Sequence, residues 1–315
     1  MRMLTHHRFQ VSFLAVTALS LLVIASAYAH TIYNDGEIHN IDTFMPNGSI
    51  LLDNKTTLNV LSGGSIIGVE VIGAVGISAG NKSTINVYDG SVAGGNGMYS
   101  EGIVLDNSMA NIYGGSVTGG LGQWAEGIDV GNGSSLKIYG GNIKGGTAKD
   151  NKYWADGIQI SGGSSVSIYD GSITAGTGSS ANGIDISGSS IVNIFGGSIN
   201  GGNAKYEAWG ICAMDSSMIN LYGGTITAGT GELDKGIAAL GDSTVKIYGT
   251  GFNYGYGSIN DISGILTGIL SDGTYLNISF EQSYAGHIIL SSVPEPATLL
   301  LLGLGGLYLR RNRRK

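Results

Sequence analysis

One ten-residue phrase recurs along this 315-residue chain and limits its fold more than any other feature. NIYGGSVTGG at Asn111 has near-copies beginning at Asn86, Lys137, Ser167, Asn193 and Asn220, a degraded copy at Lys246 and a looser one at Asn59. Successive starts lie 27, 25, 26, 30, 26, 27 and 26 residues apart. A second marker, the pair Gly-Ile, keeps the same interval at Gly76, Gly102, Gly127, Gly157, Gly183, Gly210 and Gly236. Self-similarity at a fixed period of this size signals stacked units, each unable to bury its apolar face alone.

Within a unit the apolar residues alternate in short runs. Around Gly183 these runs are GIDI, IVNIF and SIN, separated by Gly, Ser and Asn clusters. Period-two alternation over three to five residues, broken by turn formers, indicates strands. The expectation is an all-β chain: a right-handed, single-stranded parallel β-helix of about eight rungs, 25–30 residues each, with three short strands per rung. Rungs of such a solenoid stack ~4.8 Å apart. About six small aliphatics point inward per rung, worth roughly 1.5–3 kcal/mol each when buried. Fixing the backbone costs about 1–2 kcal/mol per residue, so one rung cannot stand alone. Residues 57–257 form the repeats, with caps expected at 30–56 and 258–292, the second as a hairpin around Asp272-Gly273. Of the 3 prolines, Pro46 lies before the repeats and two near the C-terminus, so none interrupts a ladder.

Alternation also sorts side chains by face. Val192 and Ile194 are expected inside, Asn193 and Phe195 outside. Applied to each rung, this gives an outer row of Asn86, Asn111, Lys137, Ser167, Asn193, Asn220 and Lys246. An aromatic row runs beside it: Tyr88, Tyr113, Tyr139, Tyr169, Phe195, Tyr222 and Tyr248. Such a row is either a stacked ladder that supports the rod or a platform for sugar rings.

The segment before each Gly-Ile pair is less regular: MYSEGI, QWAEGI, YWADGI, SANGI, EAWGI. It holds all 3 tryptophans, Trp124, Trp154 and Trp209, with Tyr99, Tyr153 and Tyr206. Glu101, Glu126 and Asp156 precede their glycines, and Asp129 and Asp185 follow theirs by two residues. The longest interval, 30 residues, comes from the insertion TAKDNKYW in this segment. Stacking gathers these residues on one flank, where solenoids carry binding loops. Aromatics with carboxylates suit a polysaccharide or surface glycan. The acidic row alone could serve as Ca²⁺ ligands. The plainer alternative is a turn corner whose aromatics cover the rod and whose acids keep it soluble.

Both ends carry trafficking signals. Arg2 and Arg8 precede an apolar run from Val11 to Ala25 and then Ala27-Tyr28-Ala29, the pattern of a secretory signal peptide cleaved between Ala29 and His30. At the other end Val293-Pro294-Glu295-Pro296 leads into an apolar stretch, residues 297–309, and a tail with Arg310, Arg311, Arg313, Arg314 and Lys315. Motif, short apolar segment and basic tail together resemble the PEP-CTERM sorting signal. That resemblance implies processing by the membrane protease exosortase, in cells that make exopolysaccharide. The repeats resemble adhesin-type surface solenoids. Such a chain is expected at the outer surface or outside the cell, on the membrane only transiently through residues 297–309.

Residues 30–293 hold nine lysines and no arginine against 22 acids, a formal charge of −13. That excludes the basic footprint of nucleic-acid binding. Cys212 is the single cysteine, so no internal disulfide forms. The expectation is a non-catalytic structural or adhesive protein, catalytic residues none. Enzymes of this fold that cleave acidic polysaccharides need basic residues, which are sparse here. The enzymatic alternative is a glycosidase using two of Glu126, Asp129 and Asp156 as acid and nucleophile or base.

Overall fold

A computed structural model describes residues 30–45, 48–69, 73–149, 152–283 and 287–293. The expected signal peptide up to Ala29, the residues Pro294, Glu295 and Pro296, and the apolar segment 297–309 lie outside the described residues. The described chain is all-β, without an α-helix, and winds into a parallel β-solenoid of about seven turns, close to the eight units counted in the sequence.

Three series of strands make the coil. The first begins at each Gly-Ile marker, as in Ile103–Asp106, Ile128–Gly131 and Ile158–Ile160. The second is the repeated phrase, as in Met109–Ile112, Ser135–Ile138 and Ser165–Ile168. The third follows the glycine turn, as in Ser116–Thr118, Asn142–Lys144 and Ser172–Thr174. Every strand pairs in parallel with its counterpart one repeat away and in strict register, so Ile128 sits between Ile103 and Ile158. The third series forms an eight-stranded sheet among the described residues.

Register converts the sequence period into columns. Ile85, Ala110, Leu136, Val166, Val192, Ile219 and Val245 form one column and Val87, Ile112, Ile138, Ile168, Ile194, Leu221 and Ile247 another, all fully buried. Small aliphatics fill this narrow core and suit the pleat because branched side chains pack against the coil above.

Outside, the Asn row forms a hydrogen-bonded ladder. Asn86 Nδ2 donates to Asn59 Oδ1 and Asn111 Nδ2 to Asn86 Oδ1, both at 2.9 Å. The seven rings from Tyr88 to Tyr248 stack at 4.4–5.2 Å with planes within 10° of parallel. The second glycine of the phrase makes the turn into the third strand: Gly115 has φ +75°, and a Cβ there would overlap the Gly90 carbonyl oxygen.

The ends differ. At the N-terminal end Thr31–Tyr33, Ile38–Ile41 and Phe44–Met45 pair in parallel with the next turn, which starts at Ile50–Leu52. His39 takes the core position stacked on Leu58, its ring lies 4.0 Å from that of Tyr33, and its Nε2 is 3.0 Å from Asp35 Oδ1. At the other end Ser263–Leu270 and Tyr275–Gln282 form an antiparallel hairpin, with Gly273 in its turn at φ +91°. Its second strand continues the first series, placing buried Phe280 on Ile237.

Beside the three strands of each rung, the middle of the rod carries a further short series. Leu121–Gly122, Thr147–Ala148, Thr177–Ser180 and Asn203–Glu207 form a fourth parallel sheet of four strands. These segments are short and rich in Gly, Thr and Ser, so they show no alternation to read.

Candidate functional site

The fourth sheet is one wall of a ridge that runs along the rod. In the middle coils the chain runs on past the third strand for eight to twelve residues and returns just before the next Gly-Ile marker. The outgoing legs are the fourth sheet. The returning legs stack through bridges linking Tyr99, Trp124, Trp154 and Ser180 in order. At the neck, Gly146 N–H donates to the Ala125 carbonyl (2.6 Å) and Gly176 N–H to that of Ala155 (2.7 Å), stapling each excursion to the one before. A Cβ on Gly146 would overlap the Gly120 carbonyl oxygen, so the neck closes only with glycine. Inside the ridge Ala125, Ala148 and Ala155 pack with Tyr153.

The aromatic residues of the flank divide in two. Tyr99, Trp124, Tyr153 and Trp154 come together on the ridge, each partly exposed. Tyr99 stacks on Trp124 at 4.9 Å and 10°, whereas Tyr153 and Trp154 stand tilted to Trp124 by 50° and 39°. The ridge rings thus do not form the parallel stack that runs from Tyr88 to Tyr248. Tyr206 is exposed further along, with Lys205 Nζ 4.5 Å from its ring centre. Trp209 is not on the surface. It is 5% exposed and packs on Cys212 and Ala238, with Met214 and Leu240 beside it, over the outer face of the first sheet.

The carboxylates also depart from expectation. Rather than facing solvent, Glu101, Glu126, Asp156 and Asp185 are buried, and Asp129 is partly buried. Alternation turns Asp129 and Asp185 out of the core, and the folded-back ridge covers them together with the acids just before Gly-Ile. Glu126 is 1% and Asp156 2% exposed, while Asp129 keeps partial exposure.

Two halves of this buried row are satisfied differently. Asp156 Oδ1 accepts from Asn182 N–H (2.7 Å), Asn182 Nδ2 donates to Asp185 Oδ2 (3.2 Å), and Asn182 Oδ1 accepts from Trp209 N–H (3.2 Å). Asn182 is the organising residue that sequence reasoning passed over. The signal was its place in ANGI, aligned with the acids of SEGI, AEGI and ADGI. In the other half, Glu101 Oε2 and both Glu126 carboxylate oxygens are buried without a hydrogen-bond partner. Burial, reinforced by the Asp129 charge, pushes the Glu101 carboxyl up to about 8. Burial and then Glu101, Asp156 and Asp129 hold Glu126 well above the usual carboxylate range. Burial and Asp106 push Asp129 up to about 7. Burial and like charge therefore favour the protonated forms of Glu101, Glu126 and Asp129. Among the described residues no three His, Cys, Asp or Glu side chains are grouped closely enough to hold a metal ion as they stand.

The comparisons bear on the end of the chain. Residues 292–314 match the family model of the PEP-CTERM protein-sorting motif. The chain carries a PEP-CTERM sorting signal. No curated protein and no solved structure matches the chain. The PEP-CTERM signal implies an exported surface protein, transiently anchored in the membrane and processed by exosortase. Among the described residues no helix is long and apolar enough to cross a membrane.

Proposed function

We propose that this protein is a non-catalytic adhesive rod, displayed at the cell surface or in the extracellular matrix, that holds neutral polysaccharide against its aromatic ridge. The observation that carries the reading is the gathering of partly exposed Tyr99, Trp124, Tyr153 and Trp154 on one ridge, where the tilted faces of Tyr153 and Trp154 do not close into a parallel ladder with Trp124. Sugar rings bind proteins through such faces, with hydrogen bonds fixing their hydroxyls. Coil spacing places Tyr99, Trp124 and Trp154 along the axis at ~4.8 Å steps, so the cluster spans a short run of sugar units. Net charge selects against acidic polymers, because a surface of formal charge −13 repels them.

Affinity per molecule is weak, since three or four aromatics bury little area, and many displayed copies supply avidity. The test is a glycan array probed with the full-length protein and with Trp154→Ala. Binding to neutral β-linked glycans that the substitution weakens at least tenfold supports the reading. Equal binding by both proteins, or none by either, refutes it.

A further inference from the structure

The two ends of the rod are finished differently. At the C-terminal end the first two sheets are covered. Ser263–Leu270 takes the outer edge of Tyr275–Gln282. Asn253 closes that strand in turn, its Nδ2 donating to the Ile265 carbonyl (2.9 Å) and its Oδ1 accepting from Thr267 N–H (2.8 Å). Gly257–Ser258 covers Ile288–Ser291. The N-terminal end has no such cover among the described residues. Thr31–Tyr33, Ile38–Ile41 and Phe44–Met45 each pair on one side only, with the next turn.

The unpaired side is able to accept strands. The Glu37 and Ile41 carbonyls accept from Thr57 and Leu61 of the next turn, so alternation directs the N–H and C=O of Ile38 and Asn40 toward the open end. Thr31 N–H and the Tyr33 carbonyl bond to Ser49 and Asp53, which leaves the backbone of Ile32 facing the same way. Natural edges resist pairing with lysine, proline or a bulge, and the strand IHNI has no lysine or proline. The rim is apolar as well. Ile32, Ile38 and Phe44 are 59%, 67% and 57% exposed, whereas two turns further in the same columns hold Ser78, Thr84 and Ser91. The cleavage expected after Ala29 leaves only His30 ahead of the first strand.

We propose that a second copy of this chain covers this end, joined N-terminal edge to N-terminal edge about a two-fold axis perpendicular to the rod. The covered C-terminal sheets block head-to-tail growth, so the contact closes at two copies. The pleat sets its register. Two Ile38–Ile41 strands run antiparallel across the axis, and residues opposite each other must point to the same face. Ile38 and Asn40 both point outward and carry the free backbone groups, so Ile38 of each copy pairs with Asn40 of the other. His39 then meets the second copy's His39 on the axis as a pair without hydrogen bonds, with Cα atoms about 4.5 Å apart. The same rotation sets the first strand of one copy against the third of the other, so Ile32 approaches the second copy's Phe44. The product is a rod of twice the length with a C-terminal end at each extremity, able to join two surfaces that each display a copy. It uses the end of the rod and not the aromatic ridge, so it stands whatever the ridge binds. One coil end is smaller than the ~800 Å² per partner of a standard interface, so a single pair is weak and copies concentrated on a surface form it most readily.

The experiment is analytical ultracentrifugation of the exported protein over a concentration series reaching roughly 1 mM, the range that detects weak pairs. The average mass should rise toward two copies. Ile38→Lys brings two lysines to the axis and should stay at one copy while melting like the parent. Ile265→Lys, on the exposed face of the C-terminal hairpin, should pair like the parent. His39→Cys, oxidised at high concentration, should give a dimer linked through residue 39, because the spacing across the axis suits a disulfide. The parent should give none, since its Cys212 is buried. The proposal is overturned by one copy at every concentration, by masses beyond two copies, by pairing that survives Ile38→Lys, or by pairing without a link at residue 39. An exported chain that keeps its leader and stays single assigns the edge to the leader and also overturns it.

Discussion

The raised carboxyls of Glu101 and Asp129 should make this protein lose stability as pH rises, opposite to most folded domains over the acid range. In the unfolded chain Glu101 and Asp129 titrate near their ordinary values of 4.5 and 3.8, but in the coil they reach about 8 and about 7. Between those limits the folded state binds more protons than the unfolded one, so stability falls with rising pH. It is greatest below about pH 4, where both states are protonated, and levels off above about pH 8. Raising a pKa by one on folding corresponds to about 1.4 kcal/mol. Each group alone would remove roughly 4–5 kcal/mol, but they act on one another and do not add, so the expected loss is on the order of 5 kcal/mol. That is a large share of the ~5–15 kcal/mol of a typical domain. The assay is urea unfolding in chelator from pH 4 to 9, read by tryptophan fluorescence. The parent midpoint should fall steadily across this window, and Glu126→Gln should fall by less than half as much, because it removes the central charge. A midpoint that is flat or rises from pH 4.5 to 8 would refute the reasoning, as would a Glu126→Gln profile identical to that of the parent.

Other substitutions separate the parts of the structure. Gly146→Ala drives a methyl group into the Gly120 carbonyl at the neck and should cost about 1–3 kcal/mol in the ridge transition, by chemical denaturation. Ile128→Ala opens a void in a fully buried column and should cost about 2–5 kcal/mol. Tyr139→Ala breaks two stacked contacts at 5.1 and 5.0 Å and should cost about 1–3 kcal/mol, with polysaccharide binding unchanged. Trp209→Phe removes a buried indole N–H that has no hydrogen-bond partner and should cost under about 1.5 kcal/mol despite the lost volume.

The coil was legible because two independent markers share a period and alternation sorts each residue to a face. Val192 in and Phe195 out follow from that pattern, and the structure places them so. The ridge was legible as a location but not as a shape. Leu121–Gly122 and Thr147–Ala148 are too short to alternate, and their pairing depends on glycine necks whose role appears only when coils stack. The same concealment misplaced the acids. Glu126 and Asp156 lie on outward positions, and a charged residue on an outward position is ordinarily solvated. They are buried because the folded-back ridge lies over them, a tertiary event that no local pattern encodes. Trp209 follows the same rule, one ladder position beyond Asn182.

Polysaccharide co-sedimentation tests the central claim, that the ridge binds and the rod supports. Full-length protein is mixed with an insoluble neutral β-linked polysaccharide, beside a Trp124→Ala/Trp154→Ala double variant and a Tyr113→Ala/Tyr139→Ala double variant. Parallel stacking in the ladder and tilted rings on the ridge predict that the tryptophan variant loses at least nine-tenths of the bound fraction while the tyrosine variant keeps it. Loss in the tyrosine variant with retention in the tryptophan variant would contradict the account, as would failure of the parent to bind.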